Sequence, residues 1–165
     1  MGRGPIRVRG PVTNCFLNRG QIFYMVGLDM QWKRAIDLSV LLQPPSQASL
    51  ARLTNISIRH GVELDGTCGF LWGDYPLLHV LASHSRARDL LEEEGFDVRA
   101  EQEVLVLDSD DPQNLLARLT TWLTSAEIQL HLLYMTRTGG LVIGVDDFHR
   151  AEATLSEWTK ETPTG

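Results

Sequence analysis

The sequence is short of the residues that form disulfide frameworks and metal sites. Cys15 and Cys68 are its two cysteines among 165 residues, and they form no CxxC pair. The five histidines show neither an HExxH nor a CxxC…H spacing, so we expect no metal site. Without a disulfide framework, a reducing, cytoplasmic location is the default expectation.

Signals of catalysis are missing as well. The chain contains no GxSxG, P-loop or GxGxxG stretch, and no nucleophile lies in a pattern that pairs it with a base. We therefore expect no enzymatic activity and no cofactor. A small catalyst stays open as an alternative, because a fold does not fix a function.

Charge and hydropathy limit the partners. The 15 basic and 21 acidic residues give a net charge of −6, which argues against a nucleic-acid partner, since such proteins present a basic surface. No run approaches the roughly 18 consecutive apolar residues of a membrane span. The early arginines are not followed by an apolar segment, so we expect neither a signal peptide nor a membrane partner.

The stretch Leu-Ala-Arg-Leu-Thr occurs twice, at residues 50–54 and 116–120, with an offset of 66 residues. At the same offset, the apolar run at 37–42 falls on that at 103–108. Agreement over about 55 residues predicts a duplicated domain, because two unrelated helices would match only within the five letters. Farther along, an offset of 64 matches Leu78 with Val142, Leu81 with Val145 and Arg86-Ala87 with Arg150-Ala151.

Each copy has the pattern β-α-β-β-α-β. The leucines of the repeated stretch are expected to face the core, because they are three positions apart on a helix. They are Leu50 and Leu53 in copy one and Leu116 and Leu119 in copy two. The predicted elements of copy one are strand 36–42, helix 46–60, strands 62–70 and 76–82, helix 85–95 and strand 96–100. Those of copy two are strand 104–108, a helix beginning near residue 112, strands 128–135 and 141–145, helix 147–158 and, at most, a short strand in the polar tail.

This order predicts an α+β protein with two ferredoxin-like βαββαβ units in tandem, each an antiparallel sheet with helices on one face. We expect domains at 30–101 and 102–165. Residues 1–29, with four arginines and one acid, are expected to be a disordered extension or a misassigned start, with a basic arm as a third interpretation. Units of about 65 residues are marginally stable alone, and a bare sheet face favours a homodimer.

The second copy resembles the ACT domain family. The resemblance rests on its first strand "VLVLD", on "AEIQLHLLYMT" and "GGLVIGVDD", and on the turn between strand and helix. In that turn Asp110, Pro112 and Leu115 match the family pattern Asp-x-Pro-Gly-x-Leu, while Gln113 stands where the family has glycine. Copy one departs further, with "PPSQAS" at these positions and neither aspartate nor glycine. The resemblance covers about residues 36–158.

The resemblance implies a regulatory module that binds an amino acid. The unpaired N–H groups at the start of a helix suit a ligand carboxylate, and aspartates of the turn would receive its ammonium group. A bland interpretation stays open, in which the turn is only a helix cap. The candidate ligand-binding residues are Ser109, Asp110, Asp111, Pro112, Gln113 and Asn114, with Ser46 and Gln47 in copy one and Glu63 and Gln129 on the facing strands.

Two non-catalytic functions follow from the resemblance. The first is a sensor that binds an amino acid and acts on a partner metabolic enzyme. The second is a protein-interaction scaffold that has lost its ligand, which the missing glycine in both copies favours.

Overall fold

The computed structural model describes residues 30–62, 64–82 and 85–160. The predictions for the N-terminal extension, for Glu63 and for a strand after residue 160 lie outside these residues. The strands are β1 Met30–Leu41, β2 Leu64–Trp72, β3 Tyr75–Ala82, β4 Asp97–Ser109, β5 Leu130–Met135 and β6 Leu141–Val145. The helices are α1 Gln47–Arg59, α2 Ala87–Glu93, α3 Pro112–Ser125 and α4 Phe148–Lys160.

All six strands belong to one antiparallel sheet, in the order β2-β3-β1-β4-β6-β5. The expectation of a separate sheet for each copy is therefore wrong. Its cause is β4, which runs without a break through both strands expected at 96–100 and 104–108. Residues 101–103 are polar but contain no glycine or proline to stop a strand, and the expected boundary between 101 and 102 falls inside β4.

β1 is longer than expected by six residues at its start. Residues 30–35 pair antiparallel with residues 104–109 of β4, from Met30 opposite Ser109 to Ala35 opposite Val104. In a βαββαβ unit the last strand lies beside the first. The added segment thus occupies the place beside β4 that the polar tail was expected to fill at most briefly.

The four helices cover one side of the sheet, called here the helix face. Leu38 and Val40 of β1 pack under α1 and α2, whereas Met30 and Trp32 pack under α3 and α4. These four residues share one side because side chains alternate along a strand. Within the described ranges, no helix is both long and apolar enough to span a membrane.

The start and burial of α1 show which local predictions hold. Ser46 caps the helix by accepting a hydrogen bond from the Ser49 backbone N–H at 3.3 Å, as predicted. Gly61 follows the helix with φ +63°, a conformation that suits glycine. Leu53 is buried, but Leu50 is 44% exposed, so its assignment to the core was wrong. Ser49 takes the buried position instead and donates its hydroxyl to the Pro44 carbonyl.

The strand register between the copies also differs from the prediction. Leu78 packs against the cluster on the helix face, whereas Val142, its expected counterpart, lies in the cluster on the opposite side. Leu81 and Val145 are reversed in the same way. A slip of one residue turns a side chain to the other face of a strand. The strand alignment was therefore off by one, although Ala87 and Ala151 are both buried, as the helix alignment requires.

The side away from the helices, called here the inner face, closes on itself. The sheet curls until its edge strands meet at an antiparallel bridge between Gly66 and Thr136. Next to it, the Arg137 backbone N–H donates to the Asp65 carbonyl at 2.7 Å. We call this contact the seam. Beneath it, the inner face buries a cluster formed by Leu81, Val104, Val106, Leu132, Tyr134 and Val142.

The seam depends on the small size of Gly66, which gives a first prediction. A Cβ at this position would lie 3.0 Å from both the Met135 carbonyl oxygen and Tyr134 Cε2. Because a backbone atom cannot yield as a side chain can, Gly66→Ala is expected to lower the free energy of unfolding by about 1–3 kcal/mol. It is also expected to speed amide exchange at Arg137. Denaturant unfolding and hydrogen exchange measure the two effects.

Gly69→Ala is the matched control on the same strand. There the added carbon meets the flexible end of the Leu78 side chain, which can move aside. We expect unchanged exchange at Arg137. Equal effects of the two substitutions on that amide would contradict a seam held by close backbone approach.

Candidate functional site

The predicted turn joins β4 to α3 and has a clear structural role. Asp111 is the N-cap of α3, with its Oδ1 accepting from the Asn114 backbone N–H at 3.1 Å. Ser109 Oγ accepts from the Asp111 N–H at 3.2 Å, and Pro112 is the first residue of the helix. These contacts are those of a helix cap.

The other predicted ligand residues lie on separate elements. Ser46 and Gln47 begin α1, while Gln129 precedes β5 and binds Asp146, with its N–H donating to Asp146 Oδ1 at 2.9 Å. Among the described residues, no hydrogen bond joins the β4–α3 turn to any of these three. The ligand role of these residues stays a prediction.

The cap gives a second prediction. Asp111→Ala removes the acceptor for the Asn114 N–H, so the free energy of unfolding should fall by about 1 kcal/mol. Asp110→Ala, at an exposed neighbour in the same turn, should change it by less than about 0.5 kcal/mol. Chemical denaturation compares the two variants. A loss at Asp110 as large as at Asp111 would contradict the assignment of the cap.

Beside the turn, on the inner face, the structure contains a cleft of about 170 Å³ that the sequence did not predict. The cleft lies at the seam, and none of the predicted ligand residues lines it, although Ser109 directly follows one lining residue. It is lined by Lys33, Asp65, Leu81, Val106, Asp108, Thr136, Arg137 and Thr138. We call it the charged cleft.

Four side chains give the charged cleft its electrostatic character. Lys33 and Arg137 bring positive charge, whereas Asp65 and Asp108 bring negative charge. Within the part of the chain that the structure describes, none of these four side chains forms a salt bridge. Charged residues of both signs therefore line one small cleft, where Lys33, Asp108 and Arg137 are exposed to solvent.

The wall formed by the β5–β6 turn is fixed by its own hydrogen bonds. The Thr136 N–H donates to the Gly140 carbonyl at 2.7 Å, and the Gly140 N–H donates to Thr136 Oγ1 at 2.8 Å. Gly140 has no Cβ, and a Cβ there would collide with the carboxylate of Asp108. The glycine thus leaves room for Asp108 at the edge of the cleft.

A buried polar cluster lies farther along the inner face. The Asp37 side chain is fully buried and accepts three hydrogen bonds: from Tyr134 Oη at 2.8 Å, from His79 Nδ1 at 2.7 Å and from Gln102 Nε2 at 3.1 Å. The donors come from β5, β3 and β4, so one carboxylate on β1 connects four strands. We call these residues the Asp37 cluster.

The geometry of the Asp37 cluster does not fit nucleophilic catalysis. Ser39 Oγ lies 3.4 Å from His79 Nδ1, the same ring nitrogen that Asp37 contacts. A Ser-His-Asp relay requires the serine and the aspartate on different ring nitrogens. The cluster therefore holds strands together and does not activate a nucleophile.

Burial, followed by the negative charge of Asp37, raises the pKa of the Tyr134 hydroxyl well above its usual value. The phenol accordingly stays protonated and donates to Asp37. A raised pKa in the folded state adds stability that is fully present below the unfolded value of about 10 and is lost as the pH rises further.

This coupling gives a third prediction. Tyr134→Phe leaves Asp37 with one donor fewer, so at pH 7 the free energy of unfolding should fall by about 1–3 kcal/mol. Between pH 10 and 11, the wild type should lose stability faster than the variant, which cannot ionise at this position. Denaturant unfolding from pH 7 to 11 measures both. Tyr75→Phe, on the exposed β2–β3 hairpin, is the control and should behave as the wild type.

Sequence reasoning missed the charged cleft and the Asp37 cluster for different reasons. Asp65 and Arg137 meet only because the sheet edges close, and no local pattern reports that closure. Asp37 left a readable signal, because it is the one charged residue in the predicted strand 36–42 and lies between Ile36 and Leu38. Such a position predicts a polar group on the face opposite the helices.

No protein-family model matches the sequence, and no curated protein matches it significantly. Several solved structures are similar in fold. A protein from Bacteroides thetaiotaomicron aligns with a TM-score of 0.62 at 18% identity, over 76% of this chain and 89% of its own. The regulatory subunit of aspartate kinase from Thermus thermophilus, in a ligand-free form, aligns with 0.53 at 11% identity, over 77% and 92%.

A third structure is a complex of Escherichia coli aspartokinase III with lysine and aspartate, and its similarity is partial. It aligns with a TM-score of 0.50 at 15% identity, over 81% of this chain but only 32% of that one. At these identities the similarity concerns the fold, which is ACT-like and found in regulatory subunits of aspartate kinase.

Proposed function

We propose that this chain is a non-catalytic regulatory protein that binds a small molecule of the amino-acid class. The observation that carries the proposal is the extent of the structural match. The similarity covers 92% of the T. thermophilus regulatory subunit and 77% of this chain, so it concerns a whole regulatory fold. A small molecule that binds such a domain can regulate it by binding more tightly to one of its conformations than to the other.

The regulatory fold is proposed to consist of two ACT-like units that share their central strands. In the first unit α1 and α2 lie over the strand order β2-β3-β1-β4. In the second, α3 and α4 lie over β4, β6 and β5, with residues 30–35 of β1 as the last strand. The burial of Leu53 and Leu119 at the same place in the repeated stretch supports this division.

Two observations support an amino acid as the ligand. The E. coli enzyme that shares the fold was solved with lysine and aspartate, which are amino acids. In this chain, the β4–α3 turn presents polar side chains at the start of a helix of 14 residues, where N–H groups and the helix dipole favour a carboxylate. The predicted residues on α1 and before β5 would complete such a site from a second unit or a second copy.

The assembly is proposed to be a homodimer that acts on a partner metabolic enzyme. Its support is the β2–β3 hairpin, where Phe70, Leu71, Trp72 and Tyr75 are 40–74% exposed. Large exposed apolar side chains on one hairpin are typical of protein interfaces.

A scaffold without a ligand is the second candidate. Two contacts favour it, since Asp111 and Ser109 already use their side-chain oxygens for the helix cap. In this case too, the exposed β2–β3 hairpin would bind a partner protein. The two functions differ in whether any amino acid binds.

A screen of the full-length chain against the twenty amino acids tests the proposal. At least one of them is expected to raise the melting temperature, because a ligand at about 100 times its Kd adds roughly 2.7 kcal/mol of stability. Calorimetry then gives its affinity and stoichiometry. If no amino acid binds while a partner enzyme is captured, the scaffold function replaces the sensor.

A further inference from the structure

We propose that the charged cleft is the binding site of a small zwitterion, an α-amino acid with a short side chain. Lys33 and Arg137 would receive its carboxylate, and Asp65 and Asp108 its ammonium group. The proposal rests on the proposed regulatory function and deepens it by assigning the ligand to the seam of the inner face, away from the β4–α3 turn.

The first argument is the charge of the lining. Two cations and two carboxylates face one space, and within the described ranges none of them is in a salt bridge. A simple anion would satisfy the cations but also meet Asp65 and Asp108, where like charges repel. A simple cation would meet Lys33 and Arg137 in the same way. A ligand that carries both charges can satisfy both sets, so the lining selects for a zwitterion.

The second argument is size. The cleft has a volume of about 170 Å³, below the roughly 300–1,000 Å³ of pockets for drug-sized ligands. Leu81 and Val106 add a small apolar surface next to the charges. These dimensions fit glycine, alanine or serine better than amino acids with long side chains.

The third argument is preorganisation. The hydrogen bond from the Arg137 N–H to the Asp65 carbonyl holds the two edges of the cleft together. The bond between Tyr134 and Asp37 fixes β5 two residues before Thr136, which lines the cleft. These bonds hold the backbone of the cleft in place, so that only the charged side chains must be ordered when a ligand binds, and this favours affinity for small molecules.

A ligand in this position would also connect parts of the sheet. Lys33 and Asp108 belong to the central strands β1 and β4, whereas Asp65 and Arg137 belong to the seam. An amino acid that bridges the two pairs would favour the closed sheet. Amide exchange at Arg137 is therefore expected to slow when the ligand binds.

The experiment uses the full-length chain, with glycine, L-alanine and L-serine as zwitterionic probes and acetate and methylammonium as probes with one charge. We expect calorimetry to show at least one amino acid binding ten times or more tightly than either single-charge probe. Lys33→Met, Arg137→Met, Asp65→Asn and Asp108→Asn should each weaken that binding about tenfold or more. Circular dichroism and thermal unfolding verify that each variant is folded.

Two control variants change the same kinds of charge elsewhere. Arg150→Met on α4 and Asp74→Asn on the β2–β3 turn alter exposed residues that do not line the cleft. Both should bind the probes as the wild type does. A loss in these variants equal to that in the cleft variants would reduce the effect to overall charge and overturn the assignment.

The remaining outcomes separate this inference from the proposed function. If the probes bind and the cleft variants keep wild-type affinity while Asp111→Asn loses it, the ligand lies at the β4–α3 turn, and only the cleft assignment fails. Binding restricted to amino acids with long side chains, or acetate binding as tightly as alanine, would also overturn the cleft assignment alone. If none of the twenty amino acids binds the wild type, both proposals fail.

Discussion

The carboxylate of Asp37 is the constraint on which the inner face depends. A carboxylate that is fully removed from water is strongly destabilising unless hydrogen-bond donors replace the water. Here the three donors, Tyr134, His79 and Gln102, come from three different strands. The sheet must therefore curl far enough to bring β5 over β1 before the group is satisfied, and this curvature also brings β2 and β5 together at the seam.

The internal repeat shows that the fold does not by itself require this polar group. An offset of 67 residues pairs Leu38 with Leu105 and Val40 with Leu107, and all four lie on the helix face. The same offset aligns Asp37 in the sequence with Val104, and both side chains are buried on the inner face. An apolar residue thus serves at one of the two positions. The compared residues are alike on the helix face, where they pack against helices, and differ on the inner face.

Local chemistry explains what could be predicted from the sequence. The caps at Ser46 and Asp111 involve residues within three positions of each other, and the buried positions of the repeated stretch follow the helical period. The continuity of β4 could not be predicted in the same way, because residues 96–100 and 104–108 each have the pattern of a separate short strand. Leu50 was misplaced because its polar neighbour Ser49 finds a backbone partner and can be buried in its place.

Tertiary closure explains what could not be predicted. Asp65 and Arg137 are 72 positions apart in the sequence and meet only across the seam. Asp65 is a polar residue near the start of a strand, and Arg137 is a basic residue in a hairpin turn. Neither position by itself predicts a binding site. The turn Ser109–Asn114 drew attention because its pattern is local, whereas the charged cleft beside it takes its lining from four strands and the β5–β6 turn.

The contacts between the sheet edges are few. The seam consists of one bridge, one backbone hydrogen bond to Asp65 and the nearby bond of Tyr134 with Asp37. Single hydrogen bonds contribute about 0.5–1.5 kcal/mol each, and those to charged groups about 1.5–3 kcal/mol. The seam contacts themselves therefore contribute little, and the apolar cluster beneath them adds most of the stability of the closed edges. Allosteric coupling typically amounts to about 1–3 kcal/mol, so the proposed ligand, bound across these edges, would act on contacts of comparable size.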